Sequence, residues 1–109
     1  MQIYPNYRID MARGDTLSFA LEFEGLGQDL DSAFFTVKTT ATDTEPLFQK
    51  SLTDGISKVS DDKYLVRIAP DDTSDLDAGE YNFDMQISAN GDVFTIMLGV
   101  LVLAQDVTF

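Results

Sequence analysis

The chain has 109 residues, 44% of them hydrophobic and 11% aromatic, with 19 acidic and 7 basic side chains and no cysteine, histidine or tryptophan. That length holds one two-layer core and not two, and a mean hydropathy near zero marks an ordinary globule rather than a disordered chain. A formal net charge of −12 argues against partners that need clustered lysine and arginine, namely nucleic acid and an anionic membrane surface, and the missing cysteines exclude a disulfide framework.

Residues 1–7 carry a proline and a turn former and are expected to run as an arm, and residues 8–12 suit a short edge strand. Arg13-Gly14-Asp15-Thr16 reads as a turn. Beyond it Leu17, Phe19, Leu21 and Phe23 alternate with polar or small residues, the period-two signature of a strand with one face in the core. Residues 25–31 form a loop of turn formers, with Leu30 tucked inward as an anchor. The next strand turns Ala33, Phe35 and Val37 inward and leaves Phe34 on the opposite face. A polar bend leads to a strand over 46–52, whose proline suits a first position or an edge, and Thr53-Asp54-Gly55 turns the chain into a short strand over 56–59.

Residues 64–69 alternate again, with Tyr64, Val66 and Ile68 on one side. Residues 70–76 hold enough aspartate and serine to cap one helical turn, and Leu76 plugs the end of the core. The strand that follows turns Tyr81, Phe83, Met85 and Ile87 inward and Asn82, Asp84, Gln86 and Ser88 toward water. Asn90-Gly91 is a hairpin signal, because both residues accept the positive φ angles of a tight two-residue turn. Residues 93–103 close the domain, and residues 105–109 form a tail. Seven or eight short strands without a helix-period stretch predict an all-β fold, an antiparallel sandwich spanning residues 1–109, with a closed barrel as the alternative.

Reactive chemistry is poorly supplied. Without histidine or cysteine the usual general base, nucleophile pairs and soft metal ligands are missing, so no catalytic, cofactor or metal residue is assigned. The carboxylates Asp61, Asp62, Asp71, Asp72, Asp75 and Asp77 read as turn and cap residues; residues 71–77 could offer several oxygens to calcium but lack the Asp-x-Asp-x-Asp-Gly spacing of a dedicated loop. Arg13-Gly14-Asp15 reads as the bend before a strand rather than as an adhesion motif. The closing strand is apolar on both sides, with Phe94, Ile96, Leu98, Val100 and Val102 on one face and Val93, Met97, Leu101 and Leu103 on the other. Only one face enters a sandwich core. The other, with Phe34, Tyr4 and Tyr7, is expected to form an apolar patch for a protein partner, unless the arm or the tail folds over it.

Several segments, in order, resemble the immunoglobulin-like domains at the start of tailed-phage baseplate upper proteins and in related prophage tail proteins. They are Arg13-Gly14-Asp15-Thr16-Leu17, Ala33-Phe34-Phe35-Thr36-Val37-Lys38, Pro46-Leu47-Phe48-Gln49-Lys50 with Thr53-Asp54-Gly55-Ile56, Pro70-Asp71-Asp72-Thr73 with Leu76, Gly79-Glu80-Tyr81-Asn82-Phe83-Asp84-Met85-Gln86, and Gly91-Asp92-Val93-Phe94-Thr95 with Gly99. The lead-in from Asp77 through Gly79 to Tyr81 resembles the corner of immunoglobulin-like sandwiches, where a tyrosine buries its ring and returns its hydroxyl to upstream backbone. The resemblance implies a non-enzymatic structural protein of the virion, made in the bacterial cytoplasm, that docks onto other tail or baseplate proteins or forms a homo-oligomer. The family's domain usually continues into a longer protein, whereas this sequence stops at Phe109, as either a whole small protein or one module. The alternative is a carbohydrate or host-surface binding module, with Tyr4, Tyr7 and Phe34 as an exposed aromatic platform.

Overall fold

The computed structural model of the chain describes residues 6–23, 29–40 and 45–105. Among them the order is β1 (Asn6–Ala12), β2 (Leu17–Glu22), β3 (Ser32–Lys38), β4 (Phe48–Ser51), β5 (Ile56–Ser60), β6 (Lys63–Ile68), α1 (Pro70–Thr73), β7 (Gly79–Ala89) and β8 (Asp92–Ala104). The strands form two sheets, one of five in the order β1-β8-β7-β3-β4 and one of three in the order β2-β6-β5. The result is an all-β sandwich whose pairings are antiparallel except one. The exception is β1, which runs parallel to β8 from Asn6 beside Leu98 to Ala12 beside Ala104. Asn6 and Tyr7 therefore belong to a strand, and not to the arm expected over residues 1–7.

Alternation decides which side chains meet between the sheets. Ala33, Phe35 and Val37 of β3, Phe83, Met85 and Ile87 of β7, and Leu101 and Leu103 of β8 are buried from one sheet. Leu21, Ile56, Tyr64, Val66 and Ile68 meet them from the other, and Leu30 is buried as the loop anchor. Phe35 is fully enclosed, with ring centroids of Phe83, Phe19 and Phe48 at 5.3, 5.5 and 6.4 Å. The Tyr64 ring is buried too, and its Oη accepts a 3.0 Å hydrogen bond from the Leu30 amide, which ties Leu30, just ahead of β3, to the core.

The β7–β8 hairpin turns at Asn90 and Gly91 with φ of 53° and 83°, as that dipeptide demands. Its ladder then shifts register, because Gln86 faces Thr95 while Met85 faces Met97. Ile96 is the extra residue of a β-bulge. A bulge reverses the in-and-out alternation beyond it, so the two halves of β8 present opposite sides to the core.

The connection from β6 to β7 is held from two directions. The helix α1 opens on Pro70, and the Asp72 carboxylate accepts the Ala69 amide at 2.7 Å. Thr73 is fully buried, with its Oγ1 accepting the Gly14 amide at 2.8 Å, while Arg13 Nη1 donates to the Leu76 carbonyl at 3.1 Å. Two residues of the Arg13-Gly14-Asp15 turn are thus structural bolts. From the five-stranded sheet, Lys50 points inward beside Phe35 with its side chain 7% exposed, and its Nζ lies 2.7 Å from Asp72 Oδ2. Gly55 leaves the room this needs, since a Cβ there would lie 2.7 Å from Lys50 Cδ.

At the corner before β7, Tyr81 is half-buried against the core and its Oη donates to the Asp77 carbonyl at 2.6 Å, with Gly79 opening the strand. Tyr81→Phe removes that bond and leaves a solvent-reached carbonyl. The expected loss is about 0.5–1.5 kcal/mol of unfolding free energy, read by urea titration; no loss at all would mean that the corner is held by ring packing alone.

Candidate functional site

The outer face of the five-stranded sheet is built by the side chains that alternation excludes from the core. β8 contributes Leu98, Val100 and Val102, which pair with Asp84, Asn82 and Glu80 of β7. β3 contributes Phe34, Thr36 and Lys38, which pair with Gln86, Asp84 and Asn82. Arg8 and Asp10 of the edge strand β1 lie beside Val100 and Val102. A row of aliphatic side chains therefore runs along a row of polar and acidic ones. Leu98 is 42% exposed.

Two shallow hollows, of about 270 and 310 Å³, open on this face and share Thr36, Lys38 and Asp84. Asp84 sits between Leu98 on one side and Thr36 on the other and is half-buried. Loss of water pushes its carboxyl above the ordinary range, against a smaller opposite pull from the Lys38 charge. Its polar neighbours are already engaged: Gln49 Nε2 donates to Thr36 Oγ1 at 2.9 Å, and Asn82 Nδ2 donates to the Thr39 carbonyl at 3.2 Å. Among the described residues, none hydrogen-bonds to or ion-pairs with Asp84. On β1, Arg8 grips Asp10 through Nε and Nη2 at 3.0–3.2 Å, and that hydrogen bond holds the Asp10 carboxyl below its usual range.

A raised folded-state pKa fixes the sign of the pH effect. The folded chain takes up the Asp84 proton before the unfolded chain does, so the stabilisation is complete below the ordinary aspartate range and lost as pH rises through the raised value. At neutral pH the ionised group is a liability. Asp84→Asn is expected to stabilise the fold at pH 7, by less than about 1 kcal/mol because solvent still reaches the site, and so to raise the thermal midpoint, with the difference from the parent shrinking as the medium is acidified. A midpoint lowered at pH 7 would mean that the carboxylate is held by a contact in the folded chain.

The residues that the sequence grouped as an interface part company. Leu98 and Val100 do share the outer face, and Phe34 lies on the same face two strands away. Phe94 does not, because the bulge at Ile96 pairs it with Ile87 on the core side, where it is still 43% exposed. Ile96 instead lines a lateral cleft of about 310 Å³ between β8 and β2, with Tyr7, Phe19 and Met97. Tyr4 falls outside the described residues. Tyr7 lies beside Gly99, on the core side of the sheet, and Phe34 on the other side, three strand spacings or roughly 14 Å away. These two rings cannot share a platform.

Asp84, Thr36 and Lys38 are the residues that sequence reasoning passed over, each having looked like an ordinary wet-face position. In the acidic stretch 71–77, Asp72 is committed to Lys50 and to the Ala69 amide. Among the described residues, no group of three or more acidic side chains is placed to hold a metal ion. No helix among them is long and apolar enough to cross a membrane. Comparison of the chain with protein-family models and with curated proteins finds no match.

Proposed function

We propose that this chain is a non-enzymatic assembly module of a phage or prophage tail, an immunoglobulin-like domain acting through protein contacts on the outer face of its five-stranded sheet. The observation that carries this is the row Leu98, Val100 and Val102 lying outside the core of the sandwich. Apolar rows on a solvent face are a usual mark of a protein partner. The ordered resemblance of segments from Arg13 to Gly99 supports the tail assignment, and the Tyr81 to Asp77 hydrogen bond supports the immunoglobulin-like reading of the corner. The partners are other tail or baseplate proteins or further copies of the chain, and its place is the virion.

Mass spectrometry of purified particles, together with electron microscopy of particles produced without this gene, tests the assignment. The expected result is the chain in the particles and incomplete tails when it is missing. Normal tails on particles that never contain the chain would overturn it.

A further inference from the structure

Three surfaces offer an unpartnered feature: the lateral cleft at Ile96, the exposed hairpin end at Val93 and Phe94, and the trough around Asp84. The cleft is lined by apolar and aromatic side chains and by Glu22, whose carboxylate already faces Lys63, and the hairpin end is apolar, so neither specifies an occupant. The trough does, because it joins aliphatic side chains to an acidic group that the fold leaves without a bond.

We propose that the trough is a docking point for a cationic protein partner, which sets an arginine against the Asp84 carboxylate and lays apolar side chains on Leu98 and Val100. The proposal rests on the reading of the domain as an assembly module and adds the chemistry of what it meets. A carboxylate withdrawn from water and given no donor is costly, and an incoming guanidinium restores the hydrogen bonds that the sheet withholds. Thr36 and Asn82 hydrogen-bond to Gln49 and to the Thr39 carbonyl rather than to Asp84, and Lys38 acts on the carboxylate through its charge without a hydrogen bond. Arginine suits it better than lysine, being more weakly hydrated and presenting a planar fork to the carboxylate.

Charge selects against a second copy of the chain as the occupant. With a net charge of −12, two copies repel, and the acidic Glu80 and Asp84 lie on the face that would have to approach its twin. Arg8, the arginine on this face, is already held by Asp10. A basic partner gains from the same charge that opposes self-association.

The test is an amide-resolved NMR titration of the full chain with the peptide acetyl-Leu-Arg-Leu-amide, and with the same peptide carrying citrulline, which keeps the shape and loses the charge. The expected result is shift changes centred on residues 36–38, 82–86 and 98–100, with binding about tenfold or more weaker for the citrulline peptide and for Asp84→Asn. Binding should also weaken in about 0.5 M salt. Leu98→Ala, an exposed position, should weaken both peptides alike. Equal binding of the two peptides, an unaffected Asp84→Asn, no binding, or shifts scattered over the acidic surface would each overturn the proposal. So would concentration-dependent shifts on this face without peptide, which would assign it to a second copy. A chain absent from virions that still binds the arginine peptide here would remove the tail assignment and leave the site standing. A virion protein that ignores the peptide would do the reverse.

Discussion

Asp72→Ala is expected to lower the unfolding free energy by about 3–5 kcal/mol. The change leaves the Lys50 ammonium, 7% exposed, without the carboxylate 2.7 Å away, and Asp54 cannot replace it from 3.9 Å while 70% exposed. It also strips the Ala69 amide of its acceptor. Asp72→Asn separates the two losses, since the amide oxygen still accepts from Ala69 while the charge is gone. Lys50→Met combined with Asp72→Asn should recover to within about 1–2 kcal/mol of the parent, because removing both charges ends the desolvation cost along with the attraction. Urea unfolding followed by far-ultraviolet circular dichroism measures all of these. A loss below about 1 kcal/mol for Asp72→Ala would show that water reaches Lys50 in solution.

Phe35→Ala is expected to be comparably severe, about 3–5 kcal/mol, for a different reason. Its ring is fully enclosed and touches rings from both sheets, Phe19 on β2 and Phe83 and Phe48 on β7 and β4, so alanine leaves a hole that no single side chain can fill. Domains of this kind are stable by about 5–15 kcal/mol, so the variant should sit near the edge of folding at ambient temperature. Phe35→Leu, which keeps most of the volume, should lose clearly less than alanine in the same urea titration. Equal losses for the two would mean that ring-to-ring contact, and not volume, holds the centre of the sandwich.

The contrast between these two residues shows what the sequence can and cannot disclose. Phe35 was legible, because Ala33, Phe35 and Val37 repeat with the period of a strand and all three are buried. The same pattern placed Tyr64, Val66 and Ile68, and Asn90-Gly91 marked the hairpin by its backbone chemistry. Lys50 was not legible, since a lysine on a short strand reads as a solvent-facing charge, and its partner lies 22 positions further on, in the connection α1. Nor was Asp84. Counting outward from the Asn90-Gly91 turn sets Asp84 opposite Met97, but the bulge at Ile96 moves its partner to Leu98 and so decides which side chains flank the carboxylate. The same extra residue separated Phe94 from Leu98 and Val100, which strict alternation had placed on one face. Alternation is a local property, whereas a bulge is chosen by how two strands fit together.

Parallel pairing of β1 with β8 has a mechanical meaning. The chain runs into β1 at the level of Leu98 and out of β8 at the level of Ala104, so tension applied through the two flanking segments draws these strands past each other lengthwise. All seven residue pairs of the clasp then bear load together, and it cannot peel open one hydrogen bond at a time. Pulled along this axis, the clasp is loaded in shear rather than unzipped from one end.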